Sequence, residues 1–117
     1  MPFAHEKLDV YNLALDFLAL ADDVVGHLPR GRGHLADQLS RASTSIVLNI
    51  AEGAGKFSKP DKRRYYLIGA GSTTECAAIL DVCIRLKLIA PEPHAVGKAM
   101  LERIAAMLVK LAKSQEV

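Results

Sequence analysis

Between Gln38 and Gly55 the chain sets an amide, a guanidinium, a hydroxyl, a second amide and a carboxylate at steps of three and four residues: Gln38, Arg41, Ser45, Asn49 and Glu52. On a helix these form one polar stripe beside an apolar stripe of Leu35, Leu39, Ala42, Ile46 and Ile50. The row reads first as a polar active site on a helix. It borders the greasy face instead of lying opposite it, so its members expect partners inside a bundle or across an interface.

The nearby motifs do not complete a catalytic site. Gly53, Ala54, Gly55 and Lys56 resemble the end of a phosphate-binding loop, but Ile50 stands at the earlier glycine position and Phe57 at the Ser/Thr position. That segment also follows a helical pattern where a phosphate loop follows a strand. Gly69, Ala70 and Gly71 lack the third glycine of a dinucleotide fingerprint. His5, His27, His34 and His94 are scattered at predicted helix ends, and no inward Glu-x-x-His pair of the di-iron type is present. Cys76 and Cys83 lie seven apart on one helix, about 10 Å of rise, beyond disulfide reach. They read as buried small hydrophobes. The expectation is a protein that is not an enzyme and has no cofactor or metal.

Geometry gives the polar row a structural role. If the second and third helices are antiparallel and reverse near Phe57, Arg41 lies level with Thr73, within about one turn of Ser72 and Glu75. Glu75 shares a wheel face with Ile68, Ile79, Cys83 and Leu86, where an unpaired carboxylate is costly. An Arg41–Glu75 ion pair with Ser45 or Ser72 nearby is therefore expected. The same arithmetic sets Asn49 level with Tyr65 and Glu52 level with Lys62. Gln38, Arg41, Ser45, Asn49, Glu52, Ser72 and Glu75 together read as a network that fixes register and oligomer geometry.

A second cluster points to binding. Lys56, Lys59, Lys62, Arg63 and Arg64 surround the start of the third helix, where the helix dipole disfavours cations. Tyr65 and Tyr66 follow directly. Cations beside aromatic rings suit phosphate contact and base stacking, so these five residues are the expected nucleic-acid-binding set.

The elements that must position both clusters are helices. Half the residues are apolar, with no Trp and 5% aromatics, so the core must be Leu, Ile, Val and Ala. A first helix from about Leu8 to His27 carries two adjacent apolar rows, a face wide enough for a central helix or a subunit interface. A second runs from about His34 to Ala54, rich in small residues that permit close helix approach. Ser58 caps a third helix reaching about Lys87, with Asp61 returning the bond and Pro60 in its first turn. Gly69 and Gly71 weaken that helix unless a neighbour packs closely there. Leu88 to Pro93 reads as a loop, with Pro91 and Pro93 as breakers, and a fourth helix spans about His94 to Lys113. The expected fold is all-α, an antiparallel up-down-up-down four-helix bundle forming one domain over residues 1–117.

Charge-free runs fall short of a membrane span, and the N-terminus lacks the pattern of a signal peptide, so no membrane association and a cytoplasmic location are expected. The net charge is only +2 but unevenly spread. Residues 1–28 hold five carboxylates against Lys7, giving −4, whereas residues 29–66 hold eight cations against three carboxylates, giving +5.

Together LDVYNLALDF, QLSRASTSIVLNIAEGAGKFS and YYLIGAGSTTECAAIL resemble the four-helix-bundle family of proteins encoded in 23S rRNA intervening sequences. The family is related to the accessory variability determinant of diversity-generating retroelements. The resemblance covers nearly the whole chain and is strongest at Gln38, Leu39, Arg41, Ala42, Ser45, Asn49, Glu52 and Gly53, then Gly71, Ser72 and Glu75. It implies a homopentameric barrel of four-helix protomers and no catalytic residues. For the retroelement relatives it implies a basic surface that binds nucleic acid and a reverse transcriptase. The leading expectation is thus a non-enzymatic oligomeric bundle that binds RNA or DNA electrostatically at the corner between the second and third helices. The alternative is an oligomeric scaffold for another protein, such as a reverse transcriptase, docking on the wide face of the first helix.

Overall fold

Four amphipathic stripes with short connections bury one another most simply by lying side by side, each antiparallel to its sequence neighbour. The computed structural model, which describes residues 1–116, has this arrangement. A 3-10 turn, Ala4–Lys7, precedes α1 (Asp9–His27), α2 (Gly33–Gly55), α3 (Lys59–Arg85) and α4 (Pro91–Ser114). Each helix packs on the next and α4 closes on α1, while the diagonal pairs make no close backbone contact among the described residues. The result is an up-down-up-down bundle measuring 45 × 26 × 22 Å. Its core is Phe17 of α1, Leu39, Ile46 and Ile50 of α2, Leu80 of α3, and Leu101, Ile104 and Leu108 of α4, all essentially inaccessible.

The α2–α3 pair has the most extensive backbone contact, and its small residues are the reason. Ser43 and Thr73 are buried, each hydroxyl donating to a carbonyl one turn back in its own helix. A Cβ on Gly53 would stand 2.7 and 2.8 Å from ring carbons of the buried Tyr66. Gly69 faces Leu108 and Asn49, so the third helix gains its close neighbours there. Gly71 meets nothing within 4 Å and points outward. Cys76 and Cys83 are free and fully buried. Burial, with the Glu75 carboxylate adding to it, pushes the Cys76 thiol up to about 12, and burial also raises Cys83.

Two helix ends differ from the sequence expectation. The third helix stops at Arg85, before Lys87, because Lys87 turns left-handed (φ 60°). The amide of Leu88 donates to Cys83 O and that of Lys87 to Ile84 O, the paired bonds of a Schellman stop with lysine in the position glycine usually takes. The fourth helix starts at Pro91, three residues earlier than expected. Pro91 and Pro93 lie in its first turn, where a missing amide proton costs nothing, so they open the helix instead of breaking it.

On α1 one apolar row, Val10, Ala14, Phe17, Ala21 and Val24, is core. In the other row Leu8, Tyr11, Leu18 and Val25 pack half-buried against that core, leaving Leu15 exposed. The wide face expected as a docking surface is therefore largely used within the bundle. The larger apolar exposure lies on α3, which is also long and apolar enough to cross a bilayer by length and composition. Here α3 packs lengthwise between α2 and α4.

Candidate nucleic-acid interface

The α2–α3 corner is a three-residue loop, Lys56 to Ser58, fixed at both sides. The Lys56 amide donates to Gly53 O at 3.3 Å and ends α2. Ser58 caps α3: its hydroxyl accepts from the Asp61 amide at 3.2 Å, and its carbonyl from the Lys62 amide at 3.0 Å. The first half of the expected capping box forms, while the Asp61 side chain returns no bond among the described residues.

The five cations of this corner have three different situations. Lys62 turns back onto the end of α2, its ammonium donating to Ala54 O at 2.9 Å and Gly53 O at 3.5 Å. It neutralises the negative end of one helix although it belongs to the positive end of the next. Lys56 pairs with Glu52 at 3.4 Å, one turn earlier on α2. Glu52 therefore meets Lys56 and not the Lys62 that levelling assigns to it. Lys59, Arg63 and Arg64 are exposed and have no carboxylate within 4 Å among the described residues.

Aromatic rings at the corner are also sorted by the packing. Tyr66 is 4% exposed, lodged against Gly53, and burial raises its phenol. Half-buried Tyr65 has the Lys56 ammonium 5.0 Å and the Arg64 guanidinium 4.6 Å from its ring centroid, so its ring is engaged by cations. Phe57 at the loop tip is fully exposed. On the sequence Phe57 serves only as a pivot. The missed signal is an apolar residue set between a helix stop (Gly53, Gly55) and a helix cap (Ser58), where no helix face can bury it. At the same end, the last turn of α4 brings Gln115 and Glu116 beside Pro60 and Arg63 around a shallow hollow.

The polar stripe divides into a bonded half and an open half. Asn49 Nδ2 donates to Ser45 O at 2.8 Å and to Ser45 Oγ at 3.0 Å, and the Ser45 and Ser72 hydroxyls bond across the helices at 2.8 Å. Gln38, Arg41 and Glu75 are exposed. Arg41 and Glu75 make no ion pair within the protomer among the described residues. The Ser45–Ser72 bond puts the reversal point nearer residues 58 and 59 than Phe57, which moves the level of Arg41 from Thr73 to about Glu75 and Cys76. The failure of Arg41 and Glu75 to meet is rotational. Ile79 and Cys83 are core, but Ile68 and Leu86 are 43% and 44% exposed, so that row is the outer edge of α3 and Glu75 lies on its solvent side.

Ile68, Gly71, Glu75, Ala78 and Val82 recur at alternating steps of three and four along that outward edge, and all are exposed. This is the spacing of a helix-packing seam, carried by small and branched apolar residues on a surface with no partner in the protomer. Leu48 of α2 is 57% exposed as well.

The sequence model of the family described as 23S rRNA-intervening sequence protein matches residues 6–110. Among solved structures, the chain is similar to a protein of unknown function from the S23 ribosomal protein family of Bacteroides thetaiotaomicron. The TM-score is 0.82 with 23% identity, covering 89% of this chain and 95% of that one. At that identity the likeness shows the fold. Among curated proteins none matches the sequence.

Proposed function

The chain belongs to the 23S rRNA-intervening sequence protein family, and from that premise we propose that it is a non-enzymatic, homo-oligomeric bundle that binds RNA or DNA electrostatically through the α2–α3 corner. The observation that carries the reading is the set Lys59, Arg63 and Arg64: three exposed cations within six residues, none held by a carboxylate within 4 Å among the described residues. Apart from the stacking of Arg64 on the Tyr65 ring, folding stability gives no reason to gather them beside the positive end of α3. Phosphates supply one.

Assembly is supported by the outward seam of α3. A second copy packed there would cover Ile68 and Val82 and bring new neighbours to the Arg41 and Glu75 left open here, and in a ring that copy presents a different face of its own. Five copies, the number the family resemblance implies, would repeat the corner around a ring and multiply its charge. The same seam favours the second reading, a scaffold for another protein such as a reverse transcriptase, with α3 in place of α1 as the docking face.

Charge reversal at Lys59, Arg63 and Arg64 separates the two. Binding of a labelled single-stranded RNA is measured by anisotropy across a salt series, alongside mass by sedimentation. Three phosphate contacts per protomer predict a slope of log affinity on log salt of about −2 for each corner engaged. The triple variant should keep its mass and lose that binding. Failure of the unaltered protein to bind RNA or DNA overturns the nucleic-acid reading and leaves the scaffold.

A further inference from the structure

Resting on the corner as the nucleic-acid site, we propose that Phe57 is a base-stacking residue that makes the site select unpaired nucleotides over duplex. A phenylalanine side chain left wholly in water forgoes about 2 kcal/mol or more of burial, and nothing in the protomer compensates it. Phe57 is not on a floppy tip, because the bonds at Lys56, Ser58 and Lys62 fix the backbone on both sides of it. The ring is thus held out before any ligand arrives, with Lys59 two residues on and Arg63 and Arg64 in the next turns of α3. Tyr65 and Tyr66 cannot take this part, since one ring is covered by cations and the other is buried. In a duplex the base faces are stacked on each other and a loop tip reaches only phosphate. In a single strand, bulge or hairpin loop the faces are open to an aromatic ring while the backbone lies against the neighbouring cations.

The chain has no tryptophan, so Phe57→Trp installs a single fluorescent reporter at the stacking position. The probes are a mixed-sequence single-stranded RNA and the same strand annealed to its complement, titrated at fixed salt. Quenching of the introduced indole by the single strand and not by the duplex is the expected result. Phe57→Ala should weaken single-strand binding roughly fivefold or more while leaving duplex binding and the salt slope unchanged, and Phe57→Trp should restore it. Equal binding of both RNAs by Phe57→Ala and the unaltered protein overturns the stacking role yet leaves the basic corner standing. No binding of either RNA by the unaltered protein removes both. A blue shift of the indole emission on concentrating the Phe57→Trp protein alone, or on adding anionic phosphatidylserine vesicles, without a response to RNA, assigns the ring to a second copy or a bilayer and overturns the inference.

Discussion

Replacing Gly71 with Ala separates the stability of the protomer from the assembly proposed on α3. Gly71 is exposed in the middle of a 27-residue helix, and a Cβ there meets nothing within 4 Å. Within one protomer the substitution can only relieve the conformational penalty of glycine, about 0.8–1.0 kcal/mol in a helix interior. For a 117-residue chain, an unfolding entropy of about 0.25 kcal/mol/K converts that gain into a Tm rise of about 4 °C. In an assembly sealed along Ile68, Gly71, Glu75, Ala78 and Val82, the same methyl intrudes where two helices approach closely. Overpacking of about 1–3 kcal/mol should raise the dissociation constant roughly 5- to 150-fold. Thermal unfolding in dilute protein and sedimentation over a concentration series read the two effects separately. A lower Tm at dilution would show that Gly71 is packed inside the protomer. An unchanged dissociation constant with a raised Tm would remove Gly71 from any interface.

Gly53→Ala should go the other way, lowering stability by about 1 kcal/mol or more in chemical denaturation, because overlap with the buried Tyr66 ring outweighs the helix gain. Lys62→Met should cost about 1 kcal/mol through the uncapped carbonyls of Ala54 and Gly53, yet leave the salt slope of RNA binding unchanged. Lys87→Gly should stabilise by about 1 kcal/mol by relieving the left-handed backbone, seen as a higher urea midpoint. Asp81 accepts from Lys98 at 2.7 Å and pairs with His94 at 2.9 Å, which holds its carboxyl below the ordinary carboxylate value. A depressed carboxyl stabilises above its unfolded pKa, so this tie between α3 and α4 is present at neutral pH and lost as the pH falls below about 4. Asp81→Asn should flatten the acid-side fall of stability and cost less than about 1 kcal/mol at neutral pH for so exposed a pair.

Helix number, order and core were legible in the sequence because apolar period and caps act locally. Phe17, Leu39 and Ile104 declare their burial by spacing alone, and Ser58 declares the start of α3. What was not legible depends on rotation and on neighbours. Levelling across the corner puts Arg41 within a turn of Glu75, which the Ser45–Ser72 bond supports, but a wheel cannot say which of two adjacent α3 rows faces inward. The row of Ile68 and Leu86 faces out, taking Glu75 with it. The left-handed Lys87 was hidden because lysine carries no signal for that conformation. The position of Lys62 was hidden for another reason: a dipole argument confined to α3 ignores the carbonyl end of α2 a short loop away.

Net charge is a poor guide to this protein because its ends differ. The fold brings residues 6–9, 52–64 and 110–116 to one end, with eight cations (Lys7, Lys56, Lys59, Lys62, Arg63, Arg64, Lys110 and Lys113) against five carboxylates (Glu6, Asp9, Glu52, Asp61 and Glu116). That end is +3 while the whole chain is +2. Asp22 and Asp23 sit at the other end near Arg30 and Arg32, separated from the corner by most of the length of α1, roughly 28 Å for its 19 residues. With a Debye length of about 8 Å at physiological salt, those two carboxylates contribute almost nothing to the field at the corner. A phosphate approaching Lys59, Arg63 and Arg64 therefore meets a basic surface whatever the total, and the modest net charge does not count against nucleic-acid binding there.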